Sequence, residues 1–273
     1  MITFSRIGYM GRLGNQMFQL AATIGIASER GFDAGIPIEN CTRKIGNGPI
    51  DVNTGLAMNV KCDLLDCFNI PSKYLISEKD MKIRQVYCEG DFKFNTQVLS
   101  LEQNTDLYGY FQTEKYFKSI ETEIREIFSF RSEIIAEGNK YCTIENGVSI
   151  HIRRGDYLTS SDYHPVQSLS YYNDAISKFN ENSNFYIFSD DPEWCKLNFN
   201  VKNSKVIESG NPYIDMYLMS LCDGHIIANS SFSWWGAWLS KKSDKTVVAP
   251  SKWFGKYLPK DTSDIYCENW IKI

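Results

Sequence analysis

The chain has 273 residues, enough for one large domain or two modest ones with a sizeable core. Its apolar content of 43% and charged content of 23% are those of a soluble globular protein. Its net charge of −4 excludes a general attraction for nucleic acid or an anionic membrane, so any bound anion must be held by a local basic cluster.

The N-terminal stretch MITFSRIGYMGRLGNQMF lacks the basic, apolar and small-residue regions of a signal peptide. No run approaches the roughly 18–20 apolar residues of a membrane span. A cytoplasmic location is expected, or a peripheral one at the inner face of the membrane. MITFSRI alternates like a strand and runs into the glycine-spaced loop GYMGRLGNQ, with a helix expected from about Asn15 to Arg30 and Gly31 as its stop. Between residues 36 and 107 the pattern loosens, with a turn signal at Asn47-Gly48-Pro49 and short strands near VYCEG and DLYGYF. FKSIETEIREIF (117–128) reads as an amphipathic helix.

After residue 141 strands are expected at VSIHI (148–152), FYIFS (185–189), KVIES (205–209), HIIA (225–228) and KTVVA (245–249), with helical patterns between them. Such alternation predicts an α/β fold whose parallel sheet is covered on both faces. Ligands bind beyond the carboxyl ends of such strands. The polar residues there are Arg153, Arg154 and Asp156; Asp190 and Asp191; Glu208; and Asn229, Ser230 and Ser231.

His151 and Arg153 alternate with Ile150 and Ile152, so they share one face of a strand. Two adjacent guanidinium forks suit a diphosphate, or one of them braces the loop through Asp156 or Asp190. The glycines at 8, 11 and 14 match neither the dinucleotide fingerprint nor a P-loop. They nonetheless permit close approach of an anion to a helix start, with Arg12 and Asn15 beside it; the plainer reading is a tight turn capped by Asn15. Asp191 is placed to cap the helix opened by Pro192, leaving Asp190 for a hydroxyl or amide donor. Asp215 is an acid among apolar residues, either solvated or an acceptor for a base. Ser230 and Ser231 begin a helix, where they cap a phosphate or the helix alone, and Trp234, Trp235 and Trp238 are candidate core. The eight cysteines form no C-x-x-C pair and the three histidines lack metal-ligand spacing, so no metal site is expected.

With HIRRGDY, GRLGNQMFQ, FSDDPEW and NSSFSWWGAW in this order, the sequence resembles glycosyltransferase family 11, the α-1,2-fucosyltransferases. The resemblance spans essentially the whole chain. It implies two Rossmann-like domains facing a cleft (glycosyltransferase B type): residues 1–140 on the acceptor side with the glycine loop, and residues 141–273 binding GDP-fucose. It implies inverting transfer of L-fucose to the 2-hydroxyl of a terminal galactose on an oligosaccharide or lipid-linked glycan, with no cofactor, no required metal and no nucleic-acid partner. The absence of any D-x-D pair agrees with arginines supplying the electrostatics.

Arg153 would contact the donor phosphates, His151 would lie near ribose or phosphate, and Arg154 would organise the loop. By analogy with O-fucosyltransferases, Arg12, Gly14 and Asn15 would approach the fucose and diphosphate. Asp215 would take guanine donors, Asp190 or Asp191 the base or ribose, and Asn229, Ser230 and Ser231 the phosphates. Asp156 is the candidate general base and His164 the runner-up; a loosely bonded transition state would need neither. Tyr157 and His164 are candidate acceptor contacts. The alternatives are another GDP-6-deoxyhexose as donor, or a non-catalytic GDP-sugar or glycan-binding module.

Overall fold

The computed structural model describes residues 1–43, 61–258 and 260–273, and the turn expected at Asn47-Gly48-Pro49 lies outside them. The chain forms two units, Met1–Arg131 with Asp261–Ile265, and Ser132–Lys260 with Tyr266–Ile273.

In the first unit the elements are β1 (Ile2–Thr3), α1 (Leu13–Arg30), β2 (Ala34–Pro37), α2 (Ile38–Thr42), α3 (Leu64–Cys67), β3 (Leu75–Ile76), β4 (Gln85–Cys88), β5 (Thr105–Tyr108) and α4 (Glu121–Ile127). The strands form one parallel sheet in the order β3-β2-β1-β5-β4. Helix α1 starts at Leu13, ahead of the expected Asn15. Its N-cap is Arg12, which makes no side-chain cap bond. Asn15 sits inside the first turn and accepts a hydrogen bond from Gln112 at 2.7 Å, so it is not the cap. Gly31, at φ 64°, ends the helix in the left-handed conformation. The 117–128 segment is a 3-10 turn, Lys118–Ile120, leading into α4; Ile124, Ile127 and Phe128 face the core.

In the second unit follow α5 (Ser132–Tyr141), β6 (Gly147–Ile152), α6 (Leu169–Ile176), β7 (Asn184–Ser189), α7 (Pro192–Asn198), β8 (Ser204–Ile207), α8 (Pro212–Ser220), β9 (Gly224–Ile226), α9 (Ser231–Leu239), β10 (Thr246–Ala249) and β11 (Ile271–Lys272). Its sheet is also parallel, in the order β11-β10-β9-β6-β7-β8. Helix α5 packs on α8 in this unit: the Tyr217 ring of α8 lies where a Cβ on Gly138 would crowd it, and Asn139 accepts from the Tyr217 hydroxyl at 2.8 Å.

Strand β6 is buried along its whole length, as expected of a central parallel strand. Val148, Ile150 and Ile152 pack with Tyr171, Tyr172 and Ala175 of α6 and with Cys195 and Phe199. The opposite face carries Ser149, whose hydroxyl lies 2.8 Å from His225 Nδ1 on β9, and His151 beside the Phe232 ring. Trp234, Trp235 and Trp238 are core, at 0–3% exposure. In both sheets the strand order reverses beside the first strand: β1 lies between β2 and β5, and β6 between β7 and β9. Such reversals open a crevice at the strands' carboxyl ends, where ligands of open α/β sheets bind.

Candidate functional site

The chain leaves β6 at Ile152 and turns at once through Arg153 and Arg154 into a 3-10 turn, Gly155–Leu158. Arg153 Nη2 donates to Asp156 at 2.6 Å, its Nη1 lies 3.1 Å from Asp190, and its guanidinium carbon sits 5.5 Å from the Tyr157 ring centre. Arg154 does different work. Its backbone N–H donates to Asp190 at 2.9 Å, its Nε donates to Asp191 at 3.0 Å, and its guanidinium stacks 3.9 Å over Trp194. Asp191 also caps α7 by accepting from the Trp194 N–H, and the Arg154 bond holds its carboxyl below the usual range. Asp190 thus grips both arginines. A Cβ at position 155 would crowd the Asp190 carboxylate, which would have to shift to make room.

Two guanidinium groups face three carboxylates in this loop. The carboxylates fix the arginines before any ligand arrives, and a guanidinium carries five N–H donors, so Arg153 retains donors for an incoming anion. Such a charge is not neutralised in place; it is oriented.

His151 lies at the end of β6 with its Nδ1 buried and without a partner among the described residues, and burial reinforced by Arg153 pushes its pKa down to about 3. It is therefore a neutral imidazole throughout the physiological range. Tyr157 donates to the Asn229 carbonyl at 3.0 Å and stacks on His164, with ring centres 5.0 Å apart; burial pushes its phenol up to about 12. Burial likewise lowers His164, with Asp156 acting in the opposite direction and Arg153 adding to the depression. The buried His164 Nδ1 has no partner among the described residues. His164 also meets Phe254 edge-on, so an aromatic stack runs outward from the Arg153 loop.

From β9 the chain delivers Asn229, Ser230 and Ser231. The Asn229 side chain turns inward: it accepts from Gln167 at 2.9 Å and donates to the Trp253 carbonyl at 2.9 Å. Ser230 is the N-cap of α9 but its side chain makes no cap bond, so its hydroxyl does not occupy the first-turn N–H groups of that helix. Asp215, in the first turn of α8, accepts from the Ser209 hydroxyl at 2.6 Å. Burial pushes its carboxyl up to about 6 against that bond.

The structure brings His151, Arg153, Arg154, Asp156, Tyr157, His164, Asp190, Asp191, Asn229, Ser230 and Ser231 together at the β6/β9 reversal; Asp215 lies apart, on the α8 turn beyond β8. Arg12, Gly14 and Asn15 belong to the first unit. There Gly8 and Gly11 adopt φ 85° and 74°, and the Asn15 amide packs where a Gly11 side chain would be. Three buried glutamines, overlooked in the sequence, hold this loop. Gln16 donates to the Lys61 carbonyl at 2.7 Å and accepts from the Asp63 N–H at 2.7 Å; Gln19 donates to the Met10 and Gly109 carbonyls; Gln112 anchors Asn15. The i, i+3 spacing of Gln16 and Gln19 on an otherwise apolar helix was the available signal. Among the described residues no group of three or more His, Cys, Asp or Glu side chains is placed to hold a metal ion, and no helix is long and apolar enough to cross a membrane.

Residues 3–273 match the profile described as Glycosyl transferase family 11. An Escherichia coli protein named alpha-1,2-colitosyltransferase is 32% identical, with 96% of each chain covered. Galactoside 2-alpha-L-fucosyltransferase SEC1 of Bos taurus is 24% identical over 86% of this chain and 64% of its own. A crystal structure of POFUT1 in complex with GDP-fucose superposes with a TM-score of 0.51 at 12% identity, covering 91% of this chain and 97% of the other. That likeness concerns the fold, an α/β architecture of the glycosyltransferase B type.

Proposed function

The chain belongs to glycosyl transferase family 11 and is a glycosyltransferase, and from that premise we propose that it transfers L-fucose, with inversion and without a metal, from GDP-fucose to the 2-hydroxyl of a terminal galactose. The observation that carries this reading is the oriented Arg153 at the carboxyl end of β6, held by Asp156 and Asp190. Donor and acceptor chemistry are inferred from the relatives' names, fucosyl or colitosyl transfer in the α-1,2 linkage.

In this mechanism the glycosidic C–O bond of the donor breaks as negative charge grows on the departing diphosphate and oxocarbenium character grows on the sugar. Arg153 stabilises that charge, joined by the N–H groups at the start of α9. Arg154, occupied by Asp191 and Trp194, keeps the turn in shape. His151, held neutral, packs beside the phosphates without adding a titrating charge. Asp156, beside Arg153, has a second carboxylate oxygen with which to accept the proton of the attacking 2-hydroxyl. His164 is the second candidate for that proton. Asp215 receives the guanine N–H donors, and Asp190 or Asp191 a donor hydroxyl. Asn229 contributes by holding Gln167 and the β9 end in place.

A second donor is favoured by one observation: the relative covering 96% of both chains is named as a colitosyltransferase. A colitosyl group is a fucosyl group without its 3-hydroxyl, so the two donors share every feature that Arg153 and Asp215 would read.

The test is transfer from GDP-fucose and GDP-colitose to terminal β-galactosides, with and without EDTA, with the product linkage read by NMR. The expected result is an α-1,2 product from at least one donor that persists in EDTA. No product from either donor would overturn the reading, and loss of product in EDTA would overturn its metal independence.

A further inference from the structure

Two thiols of the first unit, neither used by the chemistry above, are held face to face. Cys41 Sγ, on α2, lies 3.3 Å from Cys62 Sγ, 21 positions further along the chain. Each thiol is carried by a segment with its own anchors. Helix α2 is fixed by Asn40, whose side chain donates to the Ser5 carbonyl at 2.9 Å, and by Glu39, which accepts from the Ser77 hydroxyl at 2.6 Å and the Glu78 N–H at 3.0 Å. Residues 61–63 are fixed against the glycine loop. The Lys61 N–H donates to the Gly8 carbonyl at 3.3 Å, and Gln16 donates to the Lys61 carbonyl and accepts from the Asp63 N–H, each at 2.7 Å. Gly8, at φ 85°, lets this segment come close: a Cβ there would lie 3.1 Å from the Cys62 nitrogen.

Such anchoring keeps the sulfurs together without a covalent bond, so one thiol can intercept an intermediate formed on the other at high effective concentration. A disulfide has an S–S distance of about 2.05 Å, so closure from 3.3 Å needs an approach of about 1.2 Å. The two thiols differ in access. Cys41 is half-buried, whereas Cys62 is only 4% exposed. The hydrogen bond with Cys41, and after it burial, push the Cys62 thiol well above its usual range, so Cys62 keeps its proton. Cys41 therefore meets an oxidant first and Cys62 resolves it.

We infer that Cys41 and Cys62 form a reversible dithiol–disulfide site, oxidised by a hydroperoxide, whose closure ties α2 to the segment that braces the glycine loop. The Cys41 thiolate attacks one peroxide oxygen and the O–O bond breaks. Hydroxide leaves, takes up the proton that Cys41 released, and becomes water, while Cys41 becomes a sulfenic acid. The Cys62 sulfur then attacks the Cys41 sulfur. The S–S bond forms, the S–O bond breaks, and the departing hydroxide takes the Cys62 proton as a second water. The two thiols have together lost two electrons and two protons, and the peroxide has become two waters; a dithiol reductant restores both thiols. This chemistry is independent of sugar transfer.

The reduced, folded full chain is treated with hydrogen peroxide, blocked with iodoacetamide and digested without reductant. A linked Cys41–Cys62 peptide pair is expected, two hydrogens lighter than the separate peptides together, and dithiothreitol removes it. Closing a ring of this size raises the urea midpoint by roughly 0.5–1 M, and dithiothreitol returns it. Cys41→Ser, a change at the half-buried position, shows no peroxide-dependent rise. In Cys62→Ala the Cys41 sulfenic acid has no resolving thiol, and dimedone captures more of it than in wild type. Preferential linkage of either cysteine to Cys88, Cys142 or Cys267, or alkylation of Cys41 undiminished by peroxide, overturns the site. Equal dimedone capture in wild type and Cys62→Ala overturns the order of attack, and a midpoint unmoved by oxidation overturns the bracing.

Discussion

Gly155→Ala tests how the Arg153 loop is built. Gly155 is not in the left-handed region, so alanine is acceptable to the backbone, and the perturbation is confined to the collision between the new Cβ and the Asp190 carboxylate. Asp has a short side chain and cannot swing clear while keeping both its partners: the Arg154 N–H at 2.9 Å and Arg153 Nη1 at 3.1 Å. The first bond, made to a charged acceptor, is worth about 1.5–3 kcal/mol. The second is a partly exposed ion pair, worth about 0–1 kcal/mol after solvent screening. A stability loss of about 2 kcal/mol is expected by urea unfolding. Arg153 loses one of its two anchors, so kcat/KM falls about 10–100-fold, less than the 10²–10³ for deleting a preorganised donor outright. The decisive assay is a double-mutant cycle with Asp190→Ser, which removes the colliding atoms. In the Asp190→Ser background Gly155→Ala costs little further stability or rate. Equal costs in both backgrounds would refute the collision as the cause.

Arg154→Ala loses stability through Asp191 and Trp194, yet lowers kcat/KM at least about tenfold less than Arg153→Ala, measured under identical conditions. Asp156→Asn lowers kcat by about 10²–10⁴ if Asp156 is the base; full activity across pH 5–8 would remove that role. The raised Asp215 carboxyl binds its proton more tightly in the folded state, so its own contribution to stability is lost as pH rises from the usual carboxylate range through about 6. Asp215→Asn therefore gains on wild type between pH 4 and pH 7, by on the order of 1–2 kcal/mol in urea unfolding. His151 and His225 are both buried and pushed down to about 3, so the unfolded chain takes up their protons first. Their contribution to stability is full above about pH 6.5 and is lost as pH falls towards 3; His225→Gln reduces that slope in urea midpoints taken at pH 7 and pH 5.

The parallel alternation after residue 141 was legible because short apolar strands, β6 to β10, alternate with helices, and the local signals agree: Asp191 caps before Pro192, and Asn211 before Pro212. His151 lies within β6, as its alternation with Ile150 and Ile152 predicted, but the strand ends at Ile152 and Arg153 already belongs to the turn that follows. What sequence could not reveal lies in partners distant along the chain. Asn229 stands where a phosphate ligand is expected, but Gln167 and the Trp253 carbonyl claim its amide. The start of α1 was misplaced because Asn15 suits a cap by composition, whereas Gln112, remote in sequence, takes its side chain. The first unit was obscure because β1 and β3 have two residues each and 3-10 turns join its strands, too short for either periodicity to register.

The central claim is that Arg153 carries the charge of the departing diphosphate. Arg153→Ala, assayed with GDP-fucose and a terminal galactoside, measures it most directly. The account predicts a loss of about 10²–10³ in kcat/KM from a folded protein; transfer at a near wild-type rate would contradict it.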